Sequence, residues 1–174
     1  DKEGLFFVDI GTEMGWYPLR LAQEVSGYKI VGVDHHVTRI KLAQLQRNYL
    51  ISKGKLKSEV YFYCSKADEF IESVNNVTNL VCLNVFHHLL VQNPYKALDF
   101  LNLIKEKAQQ VFISIATLCE NNIEKIYGKR MVELLEELKI TDEWLVKTMC
   151  EKFKNHQVVY ESKGNKRKIH RFWR

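Results

Sequence analysis

Short apolar runs alternate with amphipathic stretches along most of the chain. Leu5–Ile10 is rich in Phe and Val and bounded by Gly4 and Gly11, which predicts a strand. Over Trp16–Val25 the positions Tyr17, Leu21 and Val25 share one face, Pro18 suits a first helical turn and Gly27 a stop. The alternation continues with a strand at Lys29–Val33, a helix at Thr38–Leu50 before Gly54, and a strand at Val60–Cys64. A short helix at Ala67–Val74, a strand at Asn79–Val85, a helix at Tyr95–Gln109 opened by Pro94, and a strand at Val111–Ala116 follow. Apolar strands separated by amphipathic helices imply a parallel sheet covered on both faces. Right-handed crossovers make such a sheet doubly wound.

The pattern then changes. Asn122–Leu138 and Asp142–Phe153 read as two consecutive helices, the second capped by Thr141. Gln157–Glu161 alternates as a strand, Ser162–Asn165 is a turn around Gly164, and Ile169–Trp173 is a last strand. Two strands joined this closely must be antiparallel. The expected fold class is α/β: a Rossmann-like doubly wound sheet of five parallel strands plus a C-terminal antiparallel hairpin. With no internal repeat or linker in view, residues 1–174 read as a single domain, compatible with excision from a longer chain.

Composition changes this picture little. Of 174 residues, 46% are apolar and 27% charged, an ordinary globular balance that argues against disorder. No apolar run approaches the ~18–20 residues that span a bilayer. Cys64, Cys82, Cys119 and Cys150 are widely spaced with no CxxC, which fits a reduced, cytoplasmic setting. The formal net charge is +5, with Lys163, Lys166, Arg167, Lys168, Arg171 and Arg174 gathered at the end. Such an end can touch phosphates or simply form a solvated hairpin.

Chemistry concentrates where the strands end. In an open α/β sheet, ligands bind beyond the carboxyl ends of the strands. The first strand runs into Asp9-Ile10-Gly11-Thr12-Glu13-Met14-Gly15. Gly11 and Gly15 allow close backbone approach. The loop lacks GxGxxG spacing and puts Glu13 where a pyrophosphate would need neutral backbone. A carboxylate suits a cationic ligand better. The second strand ends Val31-Gly32-Val33-Asp34, an acid placed to accept ribose hydroxyls.

The stretches "FFVDIGTEMGWYPLRLA", "IVGVD" and "LVCLNVFHHLL", with the closing "VVYESKGNKRKIHRFWR", resemble the class I S-adenosylmethionine-dependent methyltransferases. The resemblance covers nearly the whole chain and implies the strand order 3-2-1-4-5-7-6. It implies that Asp9, Gly11 and Gly15, with Thr12 and Glu13, line the methionine end of S-adenosylmethionine. It implies that Asp34 and His35 hold the ribose, that Ala67 and Asp68 beside Lys66 meet adenine, and that Asn84 completes the cofactor set. Glu13 departs from the family, whose commonest residue at that place is glycine.

The acceptor is expected beside Asn84, Phe86, His87 and His88, with Phe86 excluding water and His87 or His88 as the catalytic base. Read as strand residues, His87 and His88 point to opposite faces, and His35 with His36 likewise, so neither pair is expected to chelate a metal. No Asp/Asn-Pro-Pro-Tyr/Phe motif follows the fourth strand and no Pro-Cys is present, which argues against transfer to DNA base amines or cytosine C5. The leading expectation is methyl transfer to an oxygen or nitrogen of a small molecule or glycan. The alternatives are an RNA methyltransferase, gripping phosphates with the basic end and Lys53, Lys55 and Lys57, or a catalytically silent cofactor-binding or scaffold domain.

Overall fold

The computed structural model describes residues 6–118, 120, 123–164 and 166–174. The expected strand start at Leu5, Cys119, the helix start at Asn122 and Asn165 of the turn lie outside the described residues. The chain divides into two compact units, Asp1–Val81 and Cys82–Arg174.

The first unit carries β1 (Phe6–Ile10), α1 (Trp16–Glu24), β2 (Lys29–Asp34), α2 (Val37–Ser52), β3 (Glu59–Cys64) and α3 (Ala67–Ser73). β1 and β2 pair in parallel with Val8 opposite Val31, and β2 and β3 with Val31 opposite Tyr61. Its core gathers Leu19, Ala22, Ile30, Ile40, Ala43, Val60 and Phe62. These come from alternate strand positions and the inner stripes of α1 and α2, as the periodicity requires. β4 (Val77–Leu83) crosses the division between the units.

The second unit continues with α4 (Phe86–Gln92), α5 (Pro94–Lys107), β5 (Ala108–Ser114), α6 (Ile123–Tyr127), α7 (Lys129–Glu137), α8 (Asp142–Cys150), β6 (Asn155–Glu161) and β7 (Lys168–Trp173). Asn93 caps α5 by accepting from the Lys96 amide at 3.1 Å, with Pro94 at the first helical position. Thr141 caps α8 as expected, accepting from the Trp144 amide at 3.1 Å. β7 runs antiparallel to both β5 and β6. The sheet order is β3-β2-β1-β4-β5-β7-β6, the order expected.

Several boundaries differ from the sequence reading. β4 begins and ends two residues earlier than Asn79–Val85, and it stops at Leu83 because Asn84 takes φ 60° and leaves the extended region. Phe86–Gln92 forms a helix that the sequence reading does not place. The single helix expected up to Leu138 is broken at Gly128, whose φ of 81° and ψ of 164° lie in a region essentially reserved for glycine. In addition, α5 stops at Lys107 and β5 starts at once at Ala108, before the Val111 start that apolar content marks.

Candidate active site

The loop from β1 to α1 is tied down by backbone bonds. Gly11 and Thr12 amides donate to Val33 O at 2.8 and 3.0 Å, and the Gly15 amide to Thr12 O at 2.8 Å. Gly15 has φ 79°, and a Cβ there would stand 2.5 Å from the Phe62 ring and 3.0 Å from Ala43. Gly15→Ala is therefore expected to cost about 2 kcal/mol or more, from left-handed strain plus overpacking. A urea melt showing no loss of stability would contradict the close packing of the loop on Phe62. Gly32, which the sequence reading does not single out, has a similar role: a Cβ there would meet Phe62 at 2.7 Å and the Thr12 hydroxyl at 2.8 Å.

Asp34 ends β2 with its side chain 4% exposed. One carboxylate oxygen accepts the Glu13 amide at 3.0 Å, the other the His36 amide at 2.8 Å. His35 Nδ1 lies 3.6 Å away, with an exposed ring. Asp34 thus closes the glycine loop against the start of α2. A carboxylate has about four acceptor sites, so both oxygens keep capacity for hydroxyls. Glu13 sits at φ 51°, the left-handed region where glycine is easier, and its exposed carboxylate pairs with Arg39 at 3.4 Å.

Asp9 is 3% exposed, and its Oδ2 and the Thr12 hydroxyl are buried without a hydrogen-bond partner among the described residues. Burial pushes the Asp9 carboxyl up to about 7; Thr12 pulls it down and the charge on Asp34 pushes it up further. Ala67 and Asp68 open α3, both half-buried, after Lys66, whose ammonium pairs with Glu69 at 2.9 Å.

In the second unit, Asn84 is exposed at its left-handed turn, with its amide donating to Ser114 O at 3.3 Å. Phe86 is fully buried, so it belongs to the core and is not a wall facing an acceptor. His87 and His88 lie in the first turn of α4, and His35 and His36 in the turn after β2. The strand alternation invoked against chelation therefore does not apply to either pair. Neighbours on a helix diverge by about 100°, yet these two rings come into contact. Their ring centroids are 4.2 Å apart, and His87 also packs on Tyr127 at 4.7 Å. Among the described residues no group of three or more His, Cys, Asp and Glu side chains gathers as a metal site.

His87 is 2% exposed with Nδ1 unpartnered among the described residues. Burial, then the neighbouring His88 and the Arg167 charge, bring its pKa down to about 3. It is neutral at physiological pH but a weak base. His88 is the exposed member of the pair.

Part of the basic end is engaged within the protein, while Lys163 and Lys166 are exposed. Arg167 and Glu120 form a buried fork, Lys168 pairs with Asp142 at 2.6 Å, and Arg171 donates to Gln110 beside the Trp173 ring. Arg174 donates to the carbonyls of Lys105 and Glu106. Glu120, Tyr127 and Arg167 have no motif in the sequence, because only the return of the hairpin brings them together.

No family model matches the chain, and no curated protein matches it by sequence. Solved structures do match. The bifunctional kinase-methyltransferase WbdD superposes with a TM-score of 0.70 at 18% identity, covering 98% of this chain and 35% of that one. The chain thus spans about a third of the length of WbdD. A Nostoc punctiforme protein provisionally assigned as an O-methyltransferase gives 0.65 at 15% identity, covering 99% and 52%. The N-terminal domain of EvdMO1, crystallised in the presence of SAH and D-fucose, gives 0.65 at 12% identity, covering 98% and 76%. The chain has the class I S-adenosylmethionine-dependent methyltransferase fold.

Proposed function

We propose that this chain is a single S-adenosylmethionine-dependent methyltransferase domain acting on an oxygen or nitrogen of a small molecule or glycan. The observation that carries the reading is the β1–α1 cradle. There Asp9 Oδ2 and the Thr12 hydroxyl are buried and find no well-formed hydrogen bond among the described residues, although they lie close enough for Thr12 to lower the Asp9 pKa. Gly11 and Gly15 of the same loop both take positive φ. Those groups fit a ligand that is cationic and lacks phosphate. Asp9 balances positive charge, Thr12 and the loop amides orient the methionine end, Asp34 and His35 take the ribose, and Ala67 and Asp68 the adenine. Asn84 joins this cofactor set.

S-adenosylmethionine, when bound, supplies a methyl group on an already activated sulfonium. The protein then has to hold an acceptor at near-attack distance and exclude water. His88, exposed in the first turn of α4, takes the acceptor proton where one must leave. His87 remains neutral and serves packing, since an imidazole with so low a pKa has little affinity for the acceptor's proton.

A glycan acceptor draws support from the likeness to a domain crystallised with SAH and D-fucose. The RNA reading loses part of its support, because Arg167, Lys168, Arg171 and Arg174 have partners within the second unit, although Lys163 and Lys166 stay exposed. Lys53, Lys55 and Lys57 remain exposed. Cys64 and Cys150 form no disulfide among the described residues, which suits a reducing, cytoplasmic setting. Among the described residues no helix is long and apolar enough to cross a membrane.

Calorimetry tests the reading. S-adenosylhomocysteine is expected to bind in the micromolar range and NADH not at all. Asp34→Ala should weaken binding by about 1–3 kcal/mol. Binding of NADH instead, or of no adenosine ligand, rejects the proposal, and the latter outcome favours a silent scaffold. With an acceptor in hand, His88→Gln should lower turnover about a hundredfold while leaving S-adenosylhomocysteine affinity unchanged. Equal losses in both would remove the base role.

A further inference from the structure

We propose that Arg167 is a positioning residue: through a buried fork to Glu120 it fixes the Asn84 turn that leads into α4. The proposal rests on the reading above, in which Asn84–His88 serves methyl transfer.

Arg167 Nε and Nη2 donate to Glu120 Oε1 and Oε2 at 2.9 and 2.7 Å. The two side chains are 10% and 1% exposed. The remaining nitrogen, Nη1, donates to the Asn84 side-chain oxygen. The guanidinium carbon lies 5.0 Å from the Tyr127 ring centroid, and the same ring packs on His87. Glu120 is braced in turn by the Thr117 amide at 3.3 Å. The Thr117 hydroxyl donates to Asp142, which also receives Lys168, the next residue along the hairpin. Both Arg167 and Lys168 are thereby anchored, and the guanidinium cannot swing away from Asn84 without breaking the fork.

A buried ion pair is weak evidence for stability, because desolvation offsets most of the attraction and an apolar pair of similar volume is often as stable. An apolar pair cannot, however, present a fixed donor to Asn84. That residue needs one. Its left-handed φ of 60° is costly for most residues other than glycine, and asparagine adopts it more readily because its side chain can take hydrogen bonds there. Ser114 O holds its amide and Arg167 holds its side chain. The planar guanidinium serves both neighbours at once: two nitrogens engage the carboxylate and the third is aimed at Asn84. Lysine, a point charge, cannot reproduce this.

Hydrogen exchange of the full chain, read on peptides covering Asn84–His88, tests the proposal. Two variants are compared with wild type: Arg167→Lys, and the double variant Arg167→Met with Glu120→Leu, which leaves no buried charge unpaired and so keeps the fold. Exchange in Asn84–His88 is expected to rise about tenfold or more in both, with the melting temperature and the exchange of β5 unchanged. Asn84→Asp, which offers Arg167 a carboxylate oxygen in place of the amide oxygen, should keep wild-type protection. Unchanged exchange in the double variant, or faster exchange spread evenly over the second unit, overturns the proposal. S-adenosylhomocysteine affinity on the same samples tests the underlying reading separately. A loosened segment with unaltered affinity supports the positioning role while removing Asn84 from the cofactor set.

Discussion

Asp9→Asn is expected to stabilise the protein at pH 8 by about 2–4 kcal/mol and to weaken S-adenosylmethionine binding in the same variant. The buried carboxyl titrates near 7 in the folded chain and at 3.8 when unfolded. Between those values the folded state holds a proton that the unfolded chain has lost, so stability falls as pH rises through the window and levels off above it. The whole window is worth about 4 kcal/mol, reduced in the variant because a buried amide also needs partners. A cationic ligand beside Asp9 reverses the sign, since it favours the charged form. Binding at pH 6 should then release a proton, visible as a calorimetric heat that varies with the ionisation enthalpy of the buffer. Urea melts at pH 5 and 8 that show the same stability difference in wild type and variant would refute the assignment.

His87 produces the opposite slope. Its ring is neutral in the fold down to about pH 3, whereas the unfolded ring takes up a proton below 6.5. Stability therefore drops as pH falls through that window, by about 3 kcal/mol at pH 4. His87→Phe keeps the ring stacked on Tyr127 and should abolish this acid loss. Because the Asp9 and His87 windows overlap, their slopes offset one another between about pH 4 and 6.5. What remains in wild type is the loss in acid contributed by His156, whose pKa burial and the neighbouring His170 also pull down. Each single variant should tilt the wild-type profile, Asp9→Asn toward loss in acid and His87→Phe toward gain. Two variants with parallel, untilted profiles would mean that neither group is perturbed as its burial implies.

The strands, the helices between them and the β1–α1 loop were legible because they rest on local rules: apolar runs, 3.6-residue stripes, Gly11 and Gly15; the strand order came only with the family resemblance. Thr141 and Pro94 marked helix starts for the same reason. The end of β4 was not legible, since Leu83–Phe86 is apolar enough to extend a strand and only the left-handed Asn84 stops it. Gly128 sits inside a sequence that is otherwise helical throughout, and its break depends on the path of the chain rather than on composition. Phe86 looked like a site residue because it adjoins two histidines, yet helical geometry turns it into the core. The sharpest gap is Arg167. In a run of lysines and arginines nothing distinguishes the one whose partner lies 47 positions earlier in the chain. Electrostatic pairing across such separations is a property of topology, which sequence proximity does not encode.

β6 is the outermost strand at one end of the sheet, and it carries exposed Val158, Val159 and Tyr160. A straight apolar border of this kind would be a template for uncontrolled addition of further polypeptide. Its pairing with β7 slips between Val158 and Tyr160, so that Val159 is left without an opposite number. The slip kinks the border and spoils the even spacing of its free amides and carbonyls. An incoming strand could match the half before Val159 or the half after it, but not both. The irregularity thus lets the protein keep a sticky composition at its rim while denying it the continuous register that fibril growth requires.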